Sequence, residues 1–133
     1  MATFHLQIVT PDRMVFDGQA ERIIMRTVRG DVCILARHID YAAPLGVGEA
    51  TVVFEDGTER TAAASGGLLS VASGEVRVMS TTFEWKDEID LERAQRAQEE
   101  AERRLAQLQR ADEAYAITEA KLKRAITRIN VKG

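Results

Sequence analysis

From Glu75 to Lys132 the chain contains neither glycine nor proline, whereas eight of its nine glycines lie at or before Gly74 and both prolines, Pro11 and Pro44, fall in the first third. Glycine reaches the positive backbone angles of tight turns and proline presets turn geometry, so a segment holding both reverses direction often. A long segment lacking both can run as helix without interruption. The aromatic residues divide in the same way, six of seven lying at or before Trp85. The chain therefore reads as two units, residues 1–85 made of short strands and residues 86–133 made of helix.

The strands of the first unit announce themselves by alternation and by turns. Phe4-His5-Leu6-Gln7-Ile8 alternates apolar and polar with period 2, which turns one face inward, and Pro11-Asp12 ends it. Met14-Val15-Phe16 leads to an expected turn at Asp17-Gly18. Arg22-Ile23-Ile24-Met25-Arg26-Thr27-Val28 is a β-rich run closed by Gly30-Asp31. Asp56-Gly57 and Ser73-Gly74 each lie between two such runs, the pattern of two-residue hairpins. Strands this short and this regularly punctuated point to an antiparallel sandwich or flattened barrel.

In the second unit Ala94, Ala97, Ala101, Leu105 and Leu108 recur at helical spacing, and Ala111, Ala114, Tyr115, Leu122, Ala125, Ile126 and Ile129 trace a second stripe. Small residues at such a seam let two antiparallel helices approach closely. The expected fold is an N-terminal antiparallel β-sandwich followed by a C-terminal antiparallel two-helix hairpin. The break between the helices, residues 107–112, offers Asp112 as an N-cap but no glycine or proline. Every residue there can adopt helical angles, so two readings stand: a hairpin that exchanges with one long helix only a few kcal/mol away, or a permanently folded hairpin. Straightened, residues 88–131 would span roughly 66 Å.

Several function classes are excluded or disfavoured. The net charge of −3 over 133 residues argues against a nucleic-acid-gripping protein. A single cysteine, Cys33, builds no internal disulfide or thiolate metal site, and it reads as a buried free thiol. His5 and His38 have no second ligand at metal spacing, so no metal is expected. Phosphate loops, nucleophile elbows and paired-histidine motifs are absent, so the chain carries no catalytic centre of its own. Met1-Ala2-Thr3-Phe4-His5 has no basic region followed by an apolar one, so a secretory or transit leader is not expected. The charge is uneven: the last twenty residues carry Lys121, Lys123, Arg124, Arg128 and Lys132 against Glu119 alone.

One constellation suits a ligand. Asp90 and Arg93 share a face at the start of the first helix, and Arg124 and Arg128 share a face near the end of the second. A hairpin brings those two ends side by side, so Arg93, Arg124 and Arg128 could converge on a polyphosphate, whose oxygens guanidinium forks bind bidentately. The plainer reading is an N-cap aspartate with exposed ion pairs.

Three segments, in order, carry a family resemblance: Leu6-Gln7-Ile8-Val9-Thr10-Pro11-Asp12; Gly30-Asp31-Val32-Cys33-Ile34-Leu35 followed by His38-Ile39-Asp40; and Ser65-Gly66-Gly67-Leu68-Leu69-Ser70-Val71. Together they resemble the epsilon subunit of bacterial F-type ATP synthases over the whole chain. The resemblance implies a non-catalytic central-stalk subunit of a proton-translocating enzyme, at the cytoplasmic face of the plasma membrane and attached only through the complex. It implies partners in the gamma subunit and the rotor-ring c subunits, with Asp31 and His38 in the loop that faces them. It implies helices that leave the hairpin, extend toward the alpha/beta catalytic head and block ATP hydrolysis. The basic arm of Lys121, Lys123, Arg124 and Arg128 would there meet acidic segments.

Some members of the family bind ATP in the hairpin through an Ile/Leu-Asp-x-x-Arg-Ala motif. Ile89-Asp90-Leu91-Glu92-Arg93-Ala94 matches it in full, and Glu84, Arg124 and Arg128 match further positions. Glu100 stands where such relatives place another arginine. The resemblance thus implies ATP as a regulatory ligand that favours the compact form, with no cofactor required. A purely structural stalk subunit and a free-standing nucleotide-sensing module are the alternatives.

Overall fold

A computed structural model describes residues 2–133. Nine strands precede two helices: β1 (Phe4–Thr10), β2 (Arg13–Thr27), β3 (Gly30–Leu35), β4 (Tyr41–Pro44), β5 (Val47–Phe54), β6 (Glu59–Ser65), β7 (Leu68–Ala72), β8 (Glu75–Met79), β9 (Thr82–Trp85), a single 3-10 turn (Lys86–Glu88), α1 (Leu91–Leu105) and α2 (Glu113–Lys132). The strand path runs β4-β7-β8-β1-β2-β5-β6-β9, with β3 paired to β2. The path folds over so that Leu6, Ile8, Leu69 and Val78 from one end meet Val52, Ala62, Phe83 and Trp85 from the other in one core. Every pairing is antiparallel except β1 with β8, which is parallel. No helix is long and apolar enough to cross a membrane among the described residues.

The long β2 crosses from one layer to the other. Its first half pairs with β1, from Thr10↔Arg13 to Phe4↔Ala20, and its second half pairs with β3 and β5. Asp17-Gly18 is therefore strand and not a turn. Gly18 lies opposite Leu6 on β1, and a Cβ there would sit 2.9 Å from the tip of the Phe16 ring. The glycine makes room for an aromatic side chain, which packs edge-on against Phe54 at 5.0 Å.

Three other expectations are corrected. Asp56-Gly57 sits within a four-residue loop, residues 55–58, because the Asp56 carboxylate accepts bonds from the Thr58 amide and hydroxyl and widens the turn. Ser73-Gly74 is the two-residue turn expected, both residues having positive φ. Cys33 is exposed, because it alternates with Ile34, whose side chain points into the core. Asp31 lies in β3, not in a loop, opposite Arg26.

The Ser65-Gly66-Gly67 segment explains itself at Gly67. Its φ is +96°, and a Cβ there would fall 1.8 Å from the Met79 carbonyl oxygen. Only glycine lets β7 start so close to the backbone that ends β8.

The helices form the expected antiparallel pair. Ala94 and Ala101 are buried on α1, and Thr118, Ala125 and Val131 on α2. The hairpin rests on β5 and β6 through α2, and α1 packs on α2. Ala63 on β6, Ile89 and Val131 form a second, small buried cluster that fastens α2 to the sheet. The connection, residues 106–112, contains no residue with positive φ. Asp112 is the N-cap of α2, yet its carboxylate accepts from the Gln109 amide, bracing the loop instead of the helix.

Candidate functional site

The junction of the two units is held by charge and by hydrogen bonds. Arg13, on β2, donates through both terminal nitrogens to Glu88, each bond 2.8 Å, and Nη2 also reaches the Phe83 carbonyl. Glu88 Oε1 accepts from the Trp85 amide at 3.0 Å. The forked bond from Arg13 holds the Glu88 carboxyl below the usual carboxylate range. Arg60 lies 4.2 Å over the Trp85 ring and bonds Asp87 at 2.9 Å. Lys132, at the far end of α2, donates to the Lys86 carbonyl.

Beside this junction opens a cleft of about 420 Å³. Glu84 enters it from β9, Glu88 from the 3-10 turn, Asp90, Arg93 and Ala94 from the start of α1, and Arg128 from α2. Asp90 is the N-cap of α1, its Oδ1 accepting from the Arg93 amide at 3.1 Å. Arg128 is ion-paired with Glu84. Arg93 has no ion-pair partner among the described residues. The lining thus combines acceptors, donors and a small apolar floor, in a volume typical of small-molecule sites.

Five of the residues picked from sequence converge here: Glu84, Asp90, Arg93, Ala94 and Arg128. Two do not. Ile89 is buried at 3% exposure in the cluster with Ala63 and Val131, so its side chain fastens the helix instead of lining the cleft. Arg124 lies one turn back on α2 and lines the adjoining groove between the helices. Sequence reasoning missed Glu88, because its partner Arg13 is 75 residues away and no local spacing joins them.

Asp31 and His38 fall in different places. Asp31 bonds Arg26 Nε at 2.5 Å near the start of β3. His38 follows the far end of that strand, roughly 13 Å further along by strand rise alone. Its Nδ1 lies 2.8 Å from the Ile39 carbonyl and its ring packs edge-on against Tyr41. Exposed Leu35 and Ile39 flank it, and exposed Val28 precedes Asp31. None of the three was named as a contact residue from sequence: Val28 read as the end of a strand, and Leu35 and Ile39 as part of the segment resembling the family's loop.

Two family models divide the chain between them: the ATP synthase delta/epsilon chain β-sandwich domain matches residues 3–86, and the delta/epsilon chain long α-helix domain matches residues 87–133. The chain belongs to the ATP synthase delta/epsilon family. Among its relatives, the ATP synthase epsilon chain of Shouchella clausii is 40% identical, over 98% of this chain and 96% of that one. The epsilon chain of Caldanaerobacter subterraneus subsp. tengcongensis is 38% identical, over 97% and 93%. A chain in the structure of the Euglena gracilis mitochondrial ATP synthase, OSCP/F1/c-ring in rotational state 1, superposes with a TM-score of 0.78 at 28% identity, over 92% of this chain and 77% of that one. A chain of the Tetrahymena thermophila mitochondrial ATP synthase central stalk/c-ring shares the fold, with a TM-score of 0.62 at 14% identity. The resemblance to bacterial epsilon chains read from the three sequence segments is thus shown, and so is the sandwich-plus-hairpin fold it implied.

Proposed function

We propose that this epsilon-type chain is a non-catalytic central-stalk subunit whose sandwich binds gamma and the rotor ring, whose helices restrain ATP hydrolysis, and whose compact hairpin is stabilised by ATP. The observation that carries the nucleotide part is the cleft itself. Its side chains come from β9, the 3-10 turn, α1 and α2, so it exists only while the hairpin is docked. A ligand of that cleft necessarily favours the docked form, because it binds one state and not the other.

The restraint of hydrolysis is supported by the loop at residues 106–112. It contains no left-handed residue, so it straightens without replacing a special turn residue. In the docked form Arg128 is engaged by Glu84 and Lys132 by the Lys86 carbonyl, so undocking releases both cations for an acidic partner. The exposed apolar side chains beside Asp31 and His38 suit burial against the rotor. Membrane association follows from the complex alone.

Calorimetric titration of the full chain with ATP tests the site, with Arg93→Ala and Arg128→Ala as variants. Binding that survives both changes, or none at millimolar ATP, overturns it. Hydrolysis by the assembled enzyme lacking residues 87–133 tests the restraint: activity rises if the helices inhibit, and unchanged activity favours a purely structural stalk subunit. One observation favours that second reading, namely that Glu84 already satisfies the charge of Arg128 without any ligand.

A further inference from the structure

The connection between α1 and α2 reverses the chain without glycine, proline or any residue of positive φ. At the end of α1 the bonding tightens to the 3-10 pattern, the Gln107 and Leu108 amides donating to the Arg104 and Leu105 carbonyls at 3.0 and 3.2 Å. The Leu105 carbonyl is the one that a continuous helix offers to the Gln109 amide. That amide donates instead to Asp112 Oδ2, at 2.9 Å. The Asp112 amide in turn donates to the Gln109 carbonyl, also at 2.9 Å. Both backbone groups of Gln109 are therefore held by one residue. Asp112 itself is extended, at φ −69° and ψ 137°, and its side chain gives no bond to the first turn of α2. Among the described residues, no other side chain of residues 106–112 hydrogen-bonds the backbone of the connection.

We infer that Asp112 is the latch of this bend, a positioning residue that sets how readily the hairpin opens into one helix. The inference rests on the reading of the helices as an extending restraint and deepens it by naming the residue that regulates the change. The Gln109 amide has two acceptors to choose between, the Asp112 carboxylate in the bend and the Leu105 carbonyl in a straight helix. Straightening turns Asp112 from extended to helical angles and strips its carboxylate of the Gln109 amide. It also leaves Asp112 inside a helix, where aspartate is unfavourable because its side chain competes for backbone groups. Both effects favour the bend. Alanine reverses both, having no acceptor and the highest helix propensity. Asparagine keeps an acceptor oxygen at the same reach and serves equally well ahead of a helix. The contacts of Ala101, Thr118 and Ala125 along the seam also resist opening, but they are common to all three side chains and cancel in the comparison.

The test places nitroxide labels at Glu92→Cys and Asn130→Cys, both exposed positions, in the full chain carrying Cys33→Ser, since exposed Cys33 would also take label. The two helix ends lie side by side in the hairpin, where Asp90, Arg93 and Arg128 line one cleft. In a continuous helix the labelled positions stand roughly 57 Å apart. Pulsed electron paramagnetic resonance reads the distance without nucleotide, in the free chain and in the assembled enzyme. Asp112 is exposed, so its variants are expected to keep the fold, which the thermal transition of the sandwich checks. Asp112→Ala is expected to raise the ratio of long to short distances about tenfold, the scale of a lost capping acceptor added to a gain in helix propensity. Asp112→Asn stays within about twofold of the wild type. Hydrolysis by the assembled enzyme falls with Asp112→Ala and not with Asp112→Asn, a readout that a residue serving only the fold would not move. A long distance present in equal proportion in the wild type and Asp112→Ala overturns the latch and leaves the extension in place. Equal shifts from Asp112→Asn and Asp112→Ala also overturn it, because the acceptor oxygen would then play no part. Short distances alone, in every variant and in both preparations, overturn the extension and the latch with it.

Discussion

Arg128 of α2 is ion-paired with Glu84 of β9, across 44 residues of sequence and across the boundary between helix and sheet. Both side chains are less than about one-third exposed, so water screens the pair less than it screens a surface pair. A double-mutant cycle with Glu84→Gln and Arg128→Gln is expected to show a coupling of about 1 kcal/mol for hairpin docking. Docking is read as energy transfer between dyes on α1 and the sandwich. Zero coupling would make the pair incidental to docking.

Val131 is 6% exposed and packs with Ala63 and Ile89 in the small cluster that fastens α2. Val131→Asp places a carboxylate in that cluster and is expected to undock the hairpin without unfolding the sandwich. Proteolysis within residues 106–112 should accelerate while the thermal transition of the sheet persists. A change in the sheet's transition without faster proteolysis would contradict this.

His5 lies between Asp17, 2.5 Å from Nε2, and Glu75, 2.5 Å from Nδ1, joining β1 to β2 and β8. Its hydrogen bond to Asp17, then that to Glu75, raises its pKa above the ordinary 6.5. Gln7 also donates to Asp17, and Arg77 bonds Gln7 in turn. The stability that His5 contributes is complete below pH 6.5 and is lost as pH rises through the raised folded value. Denaturation between pH 5 and pH 9 should show this loss, and His5→Gln should remove it. The same bond lowers the pKa of Asp17, whose own contribution is lost only as pH falls through that lowered value.

Gly67→Ala sets a Cβ against the Met79 carbonyl at a positive φ. It is expected to destabilise the sandwich by about 3 kcal/mol or more, since neither backbone can give way cheaply. Gly57→Ala, also at positive φ but with open space around it, should cost about 1 kcal/mol. Urea denaturation of both variants gives the comparison, and equal losses would remove the role assigned to close approach.

Glu88 accepts from Arg13 and from the Trp85 amide, so Glu88→Gln weakens the forked bond and should loosen the start of α1. Because Arg13 lowers its pKa, this contribution persists at neutral pH and is lost as pH falls below the usual carboxylate range. The fluorescence of Trp85, the only tryptophan, reports the junction directly. A wild-type signal unchanged down to pH 3 would show that Glu88 does not hold it.

The sequence by itself determined the division into sheet and helix, the seam positions Ala94, Ala101 and Ala125, the turn at Ser73-Gly74 and the N-cap at Asp90. Each is set by backbone angles or by spacing within a few residues, and local chemistry decides such features. It misread Asp17-Gly18 because a strand held open by β1 and an aromatic neighbour has no local signature. It read Cys33 as buried because which face of β3 looks inward depends on the layer opposite. Tertiary structure alone decided that Ile89 fastens the hairpin while Arg124 faces the groove between the helices, and that Arg13 holds Glu88. Those outcomes depend on contacts between residues tens of positions apart, and the free energy of such contacts is set only when the chain has folded.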